Sequence, residues 1–169
     1  MLNKILVGFA VSVLLIVLGC SDSLHQRSLL VGLQQHKAQL TPVAELLIVA
    51  GDGAMIDFRD SPATFRPNVI AEQITDEQIV YFKQANIHFA TYDSSFGAVL
   101  FEARGRGIGI SGASSGYLYR HQLNSDIELV TDLQQAFDRK RAAQEHHSPL
   151  DIRMVQMVEG DWGIYLETF

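Results

Sequence analysis

A single cysteine, Cys20, is the only thiol in the chain, so no disulfide can form within it. Long apolar runs are missing too. The longest, Ile5 to Leu18, is fourteen residues with Ser12 inside it, short of the roughly 20 that a membrane-spanning helix needs. Excess positive charge is also absent: 13 Lys and Arg stand against 19 Asp and Glu, a net charge of −6, with no basic stripe. That balance argues against a nucleic-acid partner.

What is present begins at the N-terminus. Lys4 supplies a positive first segment, Ile5 to Leu18 an apolar core of export-signal length, and Val17-Leu18-Gly19 leads into Cys20. A buried helix of a folded domain alternates polar with apolar positions, which this run does not do. The alternatives that stay open are an uncleaved signal anchor and a buried helix with an ordinary thiol after it.

The stretch Val17-Leu18-Gly19-Cys20 resembles the lipobox of bacterial lipoproteins, in which an aliphatic residue stands three places before the cysteine and a small residue directly before it. The commonest members have leucine where Val17 stands and alanine or serine where Leu18 stands. The resemblance implies that the Cys20 thiol receives a diacylglyceryl group, that the chain is cut before Cys20, and that the new amino group is acylated. Two or more acyl chains hold a protein stably on a bilayer, so Cys20 would be an anchor. In the same family an aspartate directly after the cysteine favours retention in the inner membrane. Ser21 stands there, which leans toward the periplasmic face of the outer membrane, while Asp22 one place later pulls the other way.

Cutting after residue 19 leaves 150 residues and, with Lys4 gone, a net charge of −7. This is the size of one domain with one core. Residues 20–27 read as the lipidated cysteine and a short polar tether, and 28–169 as a single domain. Leu29, Leu30, Leu33 and Leu40 recur at helical spacing, and so do Val43, Leu46 and Leu47. Thr41-Pro42 between them reads as a cap and a first helical position, so two helices are expected, about 28–39 and 42–50, ending at Gly51 or Gly53. Met55 to Phe58 reads as a short strand and the remainder up to Val69 as a loop.

Thr75 with Gln78 forms a capping box, and Ile74 packing on Ile79 a staple, for a helix ending near Asn86. The period then drops to two. Ile87 to Tyr92 and Phe96 to Ala103 read as a hairpin turning at Asp93-Ser94-Ser95, with Phe89 facing Val99 and Ile87 facing Phe101. Tyr117 to His121 adds a strand. Ser125 with Glu128 reads as a second capping box, opening a helix to Arg141 with Ile127, Val130, Leu133 and Phe137 on one side. A last hairpin, Ile152 to Val158 and Trp162 to Thr168, pairs Val158 with Trp162, Gln156 with Ile164, Met154 with Leu166, Val155 with Tyr165 and Arg153 with Glu167. The expected fold is α+β, a largely antiparallel sheet covered by helices.

Four sets of residues could carry chemistry. Gly107, Gly109 and Gly112 have the spacing of a dinucleotide-binding loop, but that motif requires a helix after it and Tyr117-Leu118-Tyr119 reads as strand. A hairpin is the better reading, with Arg104, Arg106 and Ser111 the groups near any visiting ligand. His146 and His147, with Glu145 and Asp151, are metal-ligand types, though adjacent histidines do not easily reach one ion. Asp52, Asp57 and Asp60 are calcium-ligand types without the glutamate-terminated loop. Ser114, His121 and Asp126 offer a nucleophile, a base and an orienting carboxylate, a combination that only geometry can establish.

The last set is a recognition surface. Tyr117, Tyr119 and Tyr165 on strands, with Arg120 and Arg153 nearby, have the composition of a protein-binding hot spot; their alternative is a second layer of core. No cofactor is implied. The expected function is therefore a membrane-tethered envelope lipoprotein acting as a protein-binding or assembly module, inhibitor-like, immunity-like or accessory to an envelope complex. Its alternative is a periplasm-facing hydrolase or small-ligand-binding protein. The two divide on whether the tyrosines share an open face or the polar groups converge in a cleft.

Overall fold

The computed structural model describes residues 26–107, 112–143 and 152–168. They form an α+β domain built on one eight-stranded sheet, in the order β2-β1-β3-β4-β5-β8-β7-β6. The strands are β1 Met55–Asp57, β2 Thr64–Arg66, β3 Phe89–Asp93, β4 Ala98–Gly107, β5 Gly112–Arg120, β6 Glu128–Leu129, β7 Ile152–Glu159 and β8 Trp162–Thr168. All pair antiparallel except the short β6, which runs parallel to β7. Helices α1 Gln26–Ala50, α2 Asp76–Gln84 and α3 Leu133–Ala143 accompany them, with a 3₁₀ turn at Asn68–Gln73. No described helix is long and apolar enough to cross a membrane.

The expected break at Thr41-Pro42 does not occur: α1 is one helix of 25 residues with Pro42 inside it. Proline costs a helix interior about 3 kcal/mol through its missing N–H and its ring. Against this stand Leu29, Leu33, Leu40, Val43 and Leu47, all buried against the sheet, each contributing about 1.5–3 kcal/mol. Burial wins, and the Thr41 hydroxyl turns back to donate to the Lys37 carbonyl at 2.8 Å instead of capping a new helix. Gly51, at φ 94°, ends α1 by donating its N–H to the Leu47 carbonyl.

The Thr75 capping box forms as read: the Gln78 N–H donates to Thr75 Oγ1 at 3.2 Å and the Thr75 N–H to Gln78 Oε1 at 2.9 Å. The next hairpin has a different register from the expected one. Tyr92 faces Val99 and Ala90 faces Phe101, because the turn holds four residues, Ser94 to Gly97. The Asp93 carboxylate accepts from the Ser95 and Phe96 N–H groups, and Gly97 takes φ 71°. The segment before Val69, expected as loop beyond β1, contains β2 and the start of the 3₁₀ turn.

The Ser125 and Glu128 capping box is a second correction. Glu128 lies in β6, paired with Met154, and α3 begins later, at Leu133. Asp132 caps it by accepting the Gln135 N–H at 2.8 Å. Ile127 and Leu133, expected on one helix face, lie in different cores. In the last hairpin Gln156–Ile164, Met154–Leu166, Val155–Tyr165 and Arg153–Glu167 pair as expected. Val158 does not face Trp162: a bulge before Glu159 brings Glu159 opposite Trp162, and the turn is Gly160-Asp161 with Gly160 at φ 56°.

The two sheet faces are closed differently. Helices α1 and α3 lie on one, over Val99, Phe101, Tyr117, Trp162, Ile164, Leu166 and Met154. The other carries a smaller core of Phe96, Ala98, Leu100, Leu118, Ile127, Val155 and Tyr165. The segment following β5 runs beside it, tied by the Gln122 N–H to the Gly97 carbonyl and by the Val130 N–H to the Val155 carbonyl.

Candidate functional site

The proposed triad does not assemble. Ser114 lies inside β5 and His121 just past its end, and the strand from Ser114 to Arg120 alone spans about 20 Å. Ser114 is buried; its hydroxyl donates to Glu102 Oε2 at 3.2 Å and lies 2.9 Å from Tyr165 Oη. His121 stacks edge-on against Tyr92, ring centroids 5.9 Å apart. Asp126 pairs with Arg153 at 3.6 Å. Gly112-Ala113-Ser114-Ser115-Gly116 does have the Gly-x-Ser-x-Gly spacing of a nucleophile elbow, a signal that a reading by residue type passes over. The elbow needs a sharp strand-to-helix turn, and Ser114 sits inside β5 with no helix following.

The five candidate recognition residues do not share an open face. Tyr117 is buried in the core beneath α1 and Tyr165 in the core on the opposite face, so they point away from each other. Burial pushes the Tyr165 phenol far above its ordinary pKa, which keeps it a neutral donor to Ser114. Tyr119 packs on Trp162 at 4.9 Å between centroids. Arg120 pairs with Asp161 at 2.7 Å. Arg153 lies against Glu167 at 3.2 Å and over the Phe96 ring at 5.9 Å. Their aromatic and charged groups are largely spent on internal contacts, which is the second-layer-of-core alternative.

The three loop carboxylates go to three different partners. Asp52 accepts the Ser94 N–H, Asp57 forks with Arg59, and Asp60 accepts the Thr64 hydroxyl. Strand β5 pairs with β4 from Gly112 onward, Gly107 facing Gly112, so strand follows where the motif requires a helix; Gly109 and Ser111 lie outside the described residues. His146, His147 and Cys20 lie outside the described residues.

Where polar groups do gather is under the middle of α1. The sheet-facing stripe of that helix runs Leu29, Leu33, His36, Leu40, Val43, Leu47, in steps of four and three, and His36, only half-buried, is its one polar member. Its Nδ1 shares a 2.6 Å hydrogen bond with Tyr81 Oη of α2. The His36 ring centroid is 5.6 Å from that of Tyr81 and 6.2 Å from that of Tyr117. Burial lowers the pKa of His36 from its ordinary 6.5, so the imidazole is neutral at pH 7.

Tyr117 rises from β5 into this group. Its hydroxyl lies against α1 at Gly32, where a Cβ would come within 2.2 Å of it; glycine is needed there for close approach. Arg104, exposed on β4, is near enough for its charge to act on the Tyr117 phenol. It pairs with Ser115, two residues from Tyr117 on the same side of β5, and such diagonal neighbours lie about 7–8 Å apart, within reach of long side chains. Burial above all, then the neighbouring Tyr81, raise the Tyr117 pKa, while the Arg104 charge pulls it back.

His36, Tyr81 and Gly32 were not among the expected site residues. Two signals pointed to them: a histidine on an otherwise apolar stripe, and an isolated glycine inside a helical pattern. Compared with known proteins, the chain matches no family model, no curated protein and no solved structure.

Proposed function

We propose that the chain is a lipid-anchored envelope protein whose domain is a protein-binding or assembly module, inhibitor-like, immunity-like or accessory to an envelope complex. The observation that carries this reading is the N-terminal pattern of Lys4, the apolar run Ile5 to Leu18, and Gly19-Cys20. Only five residues separate Cys20 from the first described helical residue, Gln26. At about 3.5 Å per residue that link holds the start of α1 within about 20 Å of an acylated Cys20. The domain would then work close to the bilayer, more suitably on the periplasmic face of the outer membrane given Ser21. The separation of Ser114, His121 and Asp126 supports binding over hydrolysis.

The test uses the full chain in a two-membraned bacterium. Mass spectrometry of the purified protein should find residues 1–19 gone and acyl mass on Cys20, and Cys20→Ser should stay uncut. An intact N-terminus overturns the anchor. Crosslinking in the envelope should then recover one specific partner. Recovery of none, together with ester hydrolysis that Ser114→Ala abolishes, overturns the module.

A further inference from the structure

We draw no further inference here: the strongest candidate, the surface cavity beside α3 lined by Asp132, Gln134, Gln135, Asp138, Arg139 and Ala142, carries nothing, because its described lining comes from that one helix and its cap, the unpaired Gln134 Oε1 is enclosed rather than open to a ligand, and nothing in the structure shows what covers the other side.

Discussion

One face of the sheet is closed by helices and the other largely by a loop, and the difference shows in what each can bury. Under α1 and α3, twenty-four described residues form a continuous core, including Leu33, Leu40, Leu47, Phe82 and Phe101, all with no exposed surface. On the opposite face seven do. A helix offers an apolar stripe several turns long, whereas the segment after β5 contributes chiefly Ile127, with Leu123 partly buried beside it. Beside that core the face is polar: Glu102 and Ser114 are joined by hydrogen bonds to the hydroxyl of the core residue Tyr165, and Arg153 pairs with Glu167. The helical face is therefore expected to dominate stability, and the loop face to decide mainly how the strands are aligned.

The strongest way to break that comparison is to remove the strand both faces share. Strand β8 lies between β5 and β7, so deleting Trp162 to Phe169 should abolish the cooperative unfolding transition; a shortened chain with a normal transition would refute the strand order. Next come matched core truncations. Leu33→Ala should cost about 3–5 kcal/mol in denaturant unfolding, because the site is fully buried between helix and sheet. Ile127→Ala should cost less, about 2 kcal/mol, because the loop can settle toward the space left. Equal costs would mean the two faces are equally rigid.

The buried tyrosines make a finer test, one on each face. Tyr165→Phe should lose about 1 kcal/mol, since its hydroxyl is bonded to Ser114. Tyr117→Phe should lose nothing or gain slightly, since its hydroxyl has no partner among the described residues. The smallest expected effect is a pH dependence. The folded state lowers the His36 pKa below 6.5, so the folded chain binds fewer protons than the unfolded chain in that range. Stability from this group is fully present above pH 6.5 and is lost as pH falls through the folded value. His36→Gln should flatten that part of a stability–pH curve, and an unchanged slope would place the titration elsewhere.

Local signals were legible where their chemistry is local. The Thr75 box closes within four residues, and four of the five pairs expected in the last hairpin form because the bulge before Glu159 offsets the shorter turn and restores the register that a three-residue turn sets. Failures came where a distant contact outweighs the local signal. Thr41-Pro42 stays helical because the sheet holds Leu40, Val43 and Leu47 on either side of it. Ser125 and Glu128 yield to strand pairing with Met154 and to burial of Ile127. In the β3–β4 hairpin, a positive φ at Gly97 and the side-chain bonds of Asp93 set a four-residue turn, and a three-residue slip exchanges which side chains share a face.

By itself the amino-acid sequence determined an α+β chain of one-domain size, without a disulfide and with an excess of negative charge, because composition and periodicity are properties of the chain alone. The meeting of His36, Tyr81, Tyr117 and Arg104 was decided only in three dimensions. They come from α1, α2, β5 and β4, and no spacing in sequence encodes that four elements will bring them together. The same is true of the scattering of Ser114, His121 and Asp126, because an extended strand drives residues apart that a list of residue types sets side by side.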